Sequence, residues 1–254
     1  MAEPRQPLVL VTDFDGTLYR GDAPILHYAE QAAVELSDRD RDGLLDAVER
    51  FLKHGIAAAD EAPDETEAAA LRAATDGWEV VASVAARRYG VDKPRLDRAF
   101  LSTRAYMATD ACELEVPDAY RALLTELRLD GVRVVLATNS PADSLDALLD
   151  RLRVRPLLDA VVSSTGKPAG LGRLLAAELG DAAGAVRPDS AARGFALGDH
   201  WVNDVEPARE LAVPTGYIDR YGRADGPATA VATDVEGLLP IVRSWADAVV
   251  RLEI

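Results

Sequence analysis

Pro7-Leu8-Val9-Leu10-Val11-Thr12-Asp13-Phe14-Asp15-Gly16-Thr17 is the stretch on which the fold turns. Leu8 to Val11 is a short, unbroken apolar run, the pattern of a strand buried on both faces rather than one alternating between core and water. It stops at two carboxylates that flank a single phenylalanine, followed by a glycine able to turn the backbone sharply. Similar runs recur at Val132 to Ala137, Ala160 to Val162, Gly194 to Leu197 and Thr215 to Ile218. Most are separated by helix-length amphipathic stretches, and alternating strands and helices imply an α/β fold with a parallel sheet.

Between the first and second runs the character changes. Ala, Leu, Arg and Glu dominate, no strand pattern occurs, and the spacing predicts helices near Pro24 to Leu36, Arg39 to His54, Glu65 to Tyr89 and Pro94 to Thr109. The acidic segment from Asp60 to Glu65, with Pro63 inside it, reads as a loop whose Asp64 or Glu65 favours the positive end of the next helix. The division expected is a core of residues 1–20 and 116–254 with an all-helical insertion at 21–115. The final stretch, Val235 to Ile254, carries Leu238, Leu239, Ile241, Val242, Trp245, Ala248, Val249 and Leu252 at helical spacing and is expected to pack on the sheet, with Trp245 in the core.

Composition sets outer bounds. A chain of 254 residues with 48% hydrophobic letters can bury a sizeable core. Its 28 Lys and Arg against 43 Asp and Glu give a net charge of −15, which disfavours nucleic acid and anionic membrane as partners. A small anionic substrate is not disfavoured, since a bound cation and one or two local Lys or Arg side chains reverse the field within a cleft. The single cysteine, Cys112, excludes an internal disulfide and a Cys-rich metal cluster. No stretch approaches 18 uncharged apolar residues, and the opening MAEPRQPLVLVTDFDG lacks the pattern of a secretory leader, so the expected location is cytoplasmic. No fixed-period repeat or sustained heptad occurs; monomer and homodimer both remain open.

Open parallel sheets bind ligands outside the carboxyl ends of their strands. Four polar clusters fall there. Asp13-Phe14-Asp15-Gly16-Thr17 suits a metal bound by oxygen and a nucleophile paired with a general acid. Thr138-Asn139-Ser140 offers short donors for phosphoryl oxygens, ahead of a helix-opening Pro141. Gly166-Lys167-Pro168 supplies a positive point charge, although a lone loop lysine is ordinarily solvated. Gly198-Asp199-His200-Trp201-Val202-Asn203-Asp204 holds two carboxylates five apart around a turn, suited to a hard cation, although an isolated Asp there would ordinarily be a helix cap.

These four clusters, in this order, resemble the motifs of the haloacid dehalogenase superfamily of hydrolases. Asp13-Phe14-Asp15-Gly16-Thr17 looks like the first motif, Thr138 the second, Lys167 the third, and Asp199 with Asp204 the fourth. The insertion sits where the family carries its helical cap. The resemblance implies a Rossmann-like catalytic core and a Mg²⁺-dependent phosphatase for a small phosphorylated metabolite. By that likeness Asp13 is the nucleophile that becomes an aspartyl phosphate, and Asp15 is the acid and then the base. Thr138, Asn139 and Lys167 bind phosphate. Asp13, Asp199 and the backbone carbonyl of Asp15 hold Mg²⁺, and Asp204 supports the metal shell or Lys167. Asp15 speaks against carbon–halogen cleavage, which needs no protonated leaving group.

Other readings stay open at this stage. A phosphosugar mutase would use the same aspartyl phosphate, and a non-enzymatic binding or regulatory protein could share the fold. Schiff-base chemistry would need a cap lysine, and only Lys53 and Lys93 are available there. His27, Tyr28, His54, Arg87, Arg88, Arg104 and Tyr106 are candidate substrate contacts in the insertion, each with an ordinary role as a packing or solvated residue. His200 is a candidate for the site entrance.

Overall fold

The computed structural model describes residues 7–181 and 184–251. Along the chain the elements are β1 (Val9–Thr12), α1 (Ala23–Ala32), α2 (Asp38–His54), α3 (Glu65–Ala73), α4 (Gly77–Tyr89), α5 (Lys93–Met107) and α6 (Asp118–Leu129). There follow β2 (Arg133–Ala137), α7 (Leu145–Arg151), β3 (Ala160–Val162), α8 (Ala169–Leu179), α9 (Pro188–Ala191) and β4 (Gly194–Gly198). The chain continues through α10 (Glu206–Glu210), β5 (Thr215–Ile218) and β6 (Ala230–Ala232) to α11 (Leu239–Arg251).

The strands form one parallel sheet in the order β3-β2-β1-β4-β5-β6. β1 is central and buried at every position, as its unbroken apolar run requires. Val9 and Val11 pack with Leu171, Leu175 and Leu179 of α8 on one face. On the other face, the Phe195 ring of β4 lies 5.5 Å from that of Trp245 on α11, and the Trp245 indole N–H donates to the Ala192 carbonyl at 2.9 Å. Trp245 is therefore a core residue. Of the apolar positions expected to pack along the last stretch, Leu238, Val242 and Trp245 are buried, but Ile241 and Ala248 are exposed. Ala246 takes the buried position the pattern missed. Leu252 lies outside the described residues.

Two compact units result: residues 1–20, 115–219 and 225–254 in one, and residues 21–114 with 220–224 in the other. The segment 220–224 differs from the sequence division, which put it in the core. Tyr221 explains the difference, because its ring lies 4.7 Å from that of Phe51 and its carbonyl accepts from the Ile56 N–H at 3.0 Å. Arg220 donates to Asp22 at 2.6 Å within the same unit.

The helical unit has its own core, including Leu44, Val48, Phe51, Leu71, Val80 and Val84. Its helices start where capping chemistry dictates. Ser37, Asp64, Asp76 and Asp92 each accept a backbone N–H from the first turn that follows. Asp64 thus serves the helix end as expected. Asp76 breaks the predicted Glu65–Tyr89 helix in two: it accepts from the Glu79 N–H at 2.7 Å while Glu79 reaches back to the Thr75 N–H at 3.0 Å. These two side-chain caps, on the N–H groups of Glu79 and Thr75, start the second helix, and the preceding one ends at Ala73. A 3₁₀ helix occupies Gly55–Glu61, so the predicted acidic loop begins only after Glu61. The short strand β6 was unreadable, since three residues at a sheet edge with Val231 half-exposed carry no burial pattern.

Candidate active site

The strand order reverses beside β1, since the chain runs outward from β1 through β2 to β3 and returns to pair β4 on its other side. Ligand crevices form outside the carboxyl ends of strands at such a switch point. Asp13 follows β1, Thr138 follows β2, Lys167 lies in the loop after β3, and Asp199 follows β4.

Lys167 ties three of these ends together. Its ammonium donates to Asp13 Oδ1 at 2.5 Å and to Asp204 Oδ1 at 2.7 Å, with the lysine side chain only 3% exposed. The solvated position ordinary for a loop lysine is thus not the one it takes. Asn139 holds the loop in place, because its side-chain oxygen accepts from the Lys167 N–H at 2.8 Å and its amide nitrogen donates to the Lys167 carbonyl at 3.4 Å. Asn139 was expected to bind phosphate; in the structure its amide oxygen and nitrogen both meet the backbone of Lys167. Thr138 is buried, and its hydroxyl oxygen accepts from the Ser140 N–H at 3.0 Å.

Asp204 lies within one turn of π-helix, Trp201–Val205, and Asp199 lies two residues before it. Asp204 is almost fully buried, and its second oxygen accepts from the His200 N–H at 3.1 Å. His200 caps this turn, with Nδ1 accepting from the Asn203 N–H at 3.2 Å. Glycine is required twice here. A Cβ on Gly198 would meet the Asp204 side chain at 2.3 Å, and one on Gly16, whose φ is +80°, would meet Asp199 Oδ2 at 2.1 Å.

Among the described residues, Asp13, Asp199 and Asp204 each place a carboxylate oxygen within 4.8 Å of the others. This oxygen set fits a hard divalent cation. The glycine at position 16 leaves room for the Asp199 carboxylate beside the Asp13 loop. Burial pushes the Asp13 carboxyl up to about 7 against the pull of Lys167, and Asp204 and Asp15 add to the rise. A bound cation would offset that repulsion. Burial works against the charge of Lys167, but the Asp13 and Asp204 carboxylates outweigh it and hold the ammonium above its usual range.

The carboxylate of Asp15 lies outside this cluster. Its Oδ1 accepts from the Tyr19 hydroxyl at 2.6 Å and its Oδ2 from the Ser140 hydroxyl at 2.7 Å. Ser140 stood in a motif already singled out but without a partner; Tyr19 carried no motif signal. Beneath Asp13, Thr12 donates to the Asp13 carbonyl at 3.1 Å, so the buried Tyr120 hydroxyl, 2.8 Å from Thr12 Oγ1, is the donor of that pair.

The insertion candidates scatter. Tyr28 is in the helical core, and Arg88 pairs with Asp64 and the buried Glu67. Arg87 and His54 are exposed, whereas Arg104 is buried with Nη1 3.5 Å from Met107 Sδ. His27 stacks on Tyr106 at 4.3 Å, and its Nδ1 lies 2.9 Å from Thr103 Oγ1. Thr103 gives its hydrogen to the Ala99 carbonyl, so His27 Nδ1 carries the proton. Lys53 is exposed, and Lys93 is exposed and paired with Asp97 on its own helix.

Known proteins resemble this chain in sequence and in fold. A phosphoglycolate phosphatase from Caulobacter vibrioides is 29% identical over 156 residues, 61% of this chain and 60% of that protein, so the match spans less than two thirds of the relative. A predicted phosphoglycolate phosphatase from Haemophilus somnus superposes with a TM-score of 0.62 at 14% identity, covering 94% of this chain and 99% of the other. The magnesium-bound YfnB of Bacillus subtilis superposes at 0.56 with 13% identity, covering 94% and 100%. No helix among the described residues is long and apolar enough to cross a membrane. The model of the haloacid dehalogenase-like hydrolases matches residues 8–211, and the chain belongs to that family.

Proposed function

We propose that the protein is a Mg²⁺-dependent phosphatase that hydrolyses a small phosphorylated metabolite through an aspartyl phosphate on Asp13. The observation that carries this reading is the placement of the Asp13 carboxylate 2.5 Å from the Lys167 ammonium, within an acidic oxygen cluster and two residues before Asp15. The phosphatase names of the Caulobacter and Haemophilus relatives point the same way.

Asp13 attacks phosphorus, the ester P–O bond breaks with its electron pair on the leaving oxygen, and Asp15 gives that oxygen a proton. Water then attacks the aspartyl phosphate, Asp15 takes its proton, and the P–O bond to Asp13 breaks to release phosphate. Lys167 spends two of its three N–H groups on Asp13 and Asp204 and offers the third to a phosphoryl oxygen, joined by the Thr138 hydroxyl hydrogen. Asn139 acts by positioning Lys167. Asp13, Asp199 and the Asp15 carbonyl would hold Mg²⁺, with Asp204 anchoring Lys167 beside them. When bound, the ion supplies positive charge that offsets repulsion between carboxylate and phosphate. Residence in a reducing cytoplasm belongs to the same reading and fits the lone, buried Cys112.

The test is phosphate release from a panel of small phosphorylated metabolites with Mg²⁺ or excess chelator, with Asp13→Asn run in parallel. Metal-dependent release that Asp13→Asn abolishes supports the proposal. Release that survives the substitution, or folded protein that releases nothing, removes it.

A further inference from the structure

We propose that Tyr19 and Ser140 are positioning residues that aim the Asp15 carboxyl at the leaving oxygen, an inference that rests on the phosphatase reading above. A free Asp side chain has two torsions, the second of them broad, so a carboxyl at a turn samples many directions. Asp15 is denied that freedom: one hydroxyl donates to each of its oxygens, at 2.6 and 2.7 Å. The two donors come from different parts of the unit, Tyr19 from the turn after β1 and Ser140 from the loop after β2, so together they set both the direction and the roll of the carboxyl plane.

Each donor is itself held. Tyr19 is 3% exposed, with its ring edge-to-face on Phe14 at 5.1 Å. Ser140 is 7% exposed, its N–H bound to Thr138 Oγ1 and its carbonyl accepting from the Ser164 N–H at 2.9 Å. Each carboxyl oxygen has more than one lone pair, so both hydroxyls can go on donating while the remaining direction faces the leaving oxygen. Tyr19 and Ser140 therefore hold one geometry through both halves of the cycle, in which the proton leaves Asp15 for the alcohol oxygen and is replaced from water.

The experiment compares kcat/KM for two phosphate monoesters, an alkyl phosphate whose leaving oxygen needs the proton and p-nitrophenyl phosphate whose leaving oxygen does not. This constant reports the step in which the alcohol departs and is blind to later hydrolysis of the aspartyl phosphate. Tyr19→Phe and Ser140→Ala are each expected to lower the alkyl-to-aryl ratio at least about tenfold, a fraction of the ~10²–10⁴ that a positioned general acid contributes. Ser140→Thr, which keeps the hydroxyl, is expected to restore most of the ratio. Equal losses on both substrates, or an unchanged ratio in Tyr19→Phe and Ser140→Ala, overturn the positioning role. A parent protein that hydrolyses neither ester overturns the phosphatase reading itself, a separate outcome because it requires no variant.

Discussion

Replacing Lys167 with methionine removes the cation placed between two nearly buried carboxylates while keeping the bulk of the stem. At contacts of 2.5 and 2.7 Å each ion pair is worth about 6–7 kcal/mol in a medium of effective dielectric about 20, before desolvation of the charges is counted. Desolvation consumes most of that gain, but it is still suffered by the carboxylates once the lysine is gone. The net loss expected for breaking such a buried set from one side is therefore about 3–5 kcal/mol. The loss has a definite pH dependence. Lys167 pulls the Asp13 value down, so without it that value moves further upward, and the penalty is largest where Asp13 is ionised and shrinks as it protonates. Urea unfolding at about pH 8 and about pH 5 reads the difference through this linkage. A Trp78→Phe background confines the fluorescence to Trp201 and Trp245, both in the sheet unit. Added Mg²⁺ is expected to recover part of the loss at the higher pH. A change below about 1 kcal/mol at the higher pH, or a loss that grows on acidification, would refute the argument, since it would place the charges in effectively aqueous surroundings.

Gly16→Ala is expected to push Asp199 aside and raise the Mg²⁺ concentration for half-maximal activity by about ten- to a hundredfold, the usual effect of disturbing the support of a metal ligand; an unchanged metal titration would contradict the 2.1 Å clash. In the metal-free protein the raised Asp13 value means that stability is fully present below about pH 4 and is lost as pH rises through about 7. Asp13→Asn escapes that loss, so its advantage over the parent should grow with pH to a ceiling of about 4 kcal/mol, at ~1.4 kcal/mol per pKa unit; a pH-independent difference in chemical unfolding would count against it. Tyr221→Ala should cost the helical unit about 3–5 kcal/mol, as for other buried aromatic truncations, and hydrogen exchange in α2 should accelerate. Unchanged protection there would mean that 220–224 is not part of that unit's core.

Much of the sheet was legible because buried strands write themselves as unbroken apolar runs. Val9, Val134 and Phe195 lie at the centre of such runs and at the centre of the sheet. The positions after β1, β2, β3 and β4 follow from the same runs, which is why Asp13, Thr138, Lys167 and Asp199 could be collected before any geometry was known. The edge strand β6 escaped for the opposite reason, with a half-exposed valine between two small residues. The break at Asp76 was readable in principle, since an Asp N-cap is a local signal, but a continuous helical composition on both sides hid it.

The sequence by itself determined the alternation of strands and helices, the helical insertion and the order of the polar clusters, because these depend on patterns within a few residues of one another. It could not say that Asn139 serves Lys167, that Lys167 bridges Asp13 and Asp204, or that Tyr19 and Ser140 share Asp15. Nor could it give Tyr221 to the helical unit. Those assignments belong to the tertiary structure alone, since each joins residues from separate elements or selects one of several rotamers at a turn. Hydrogen bonds and charges act over a few ångströms, and only packing decides which groups come that close.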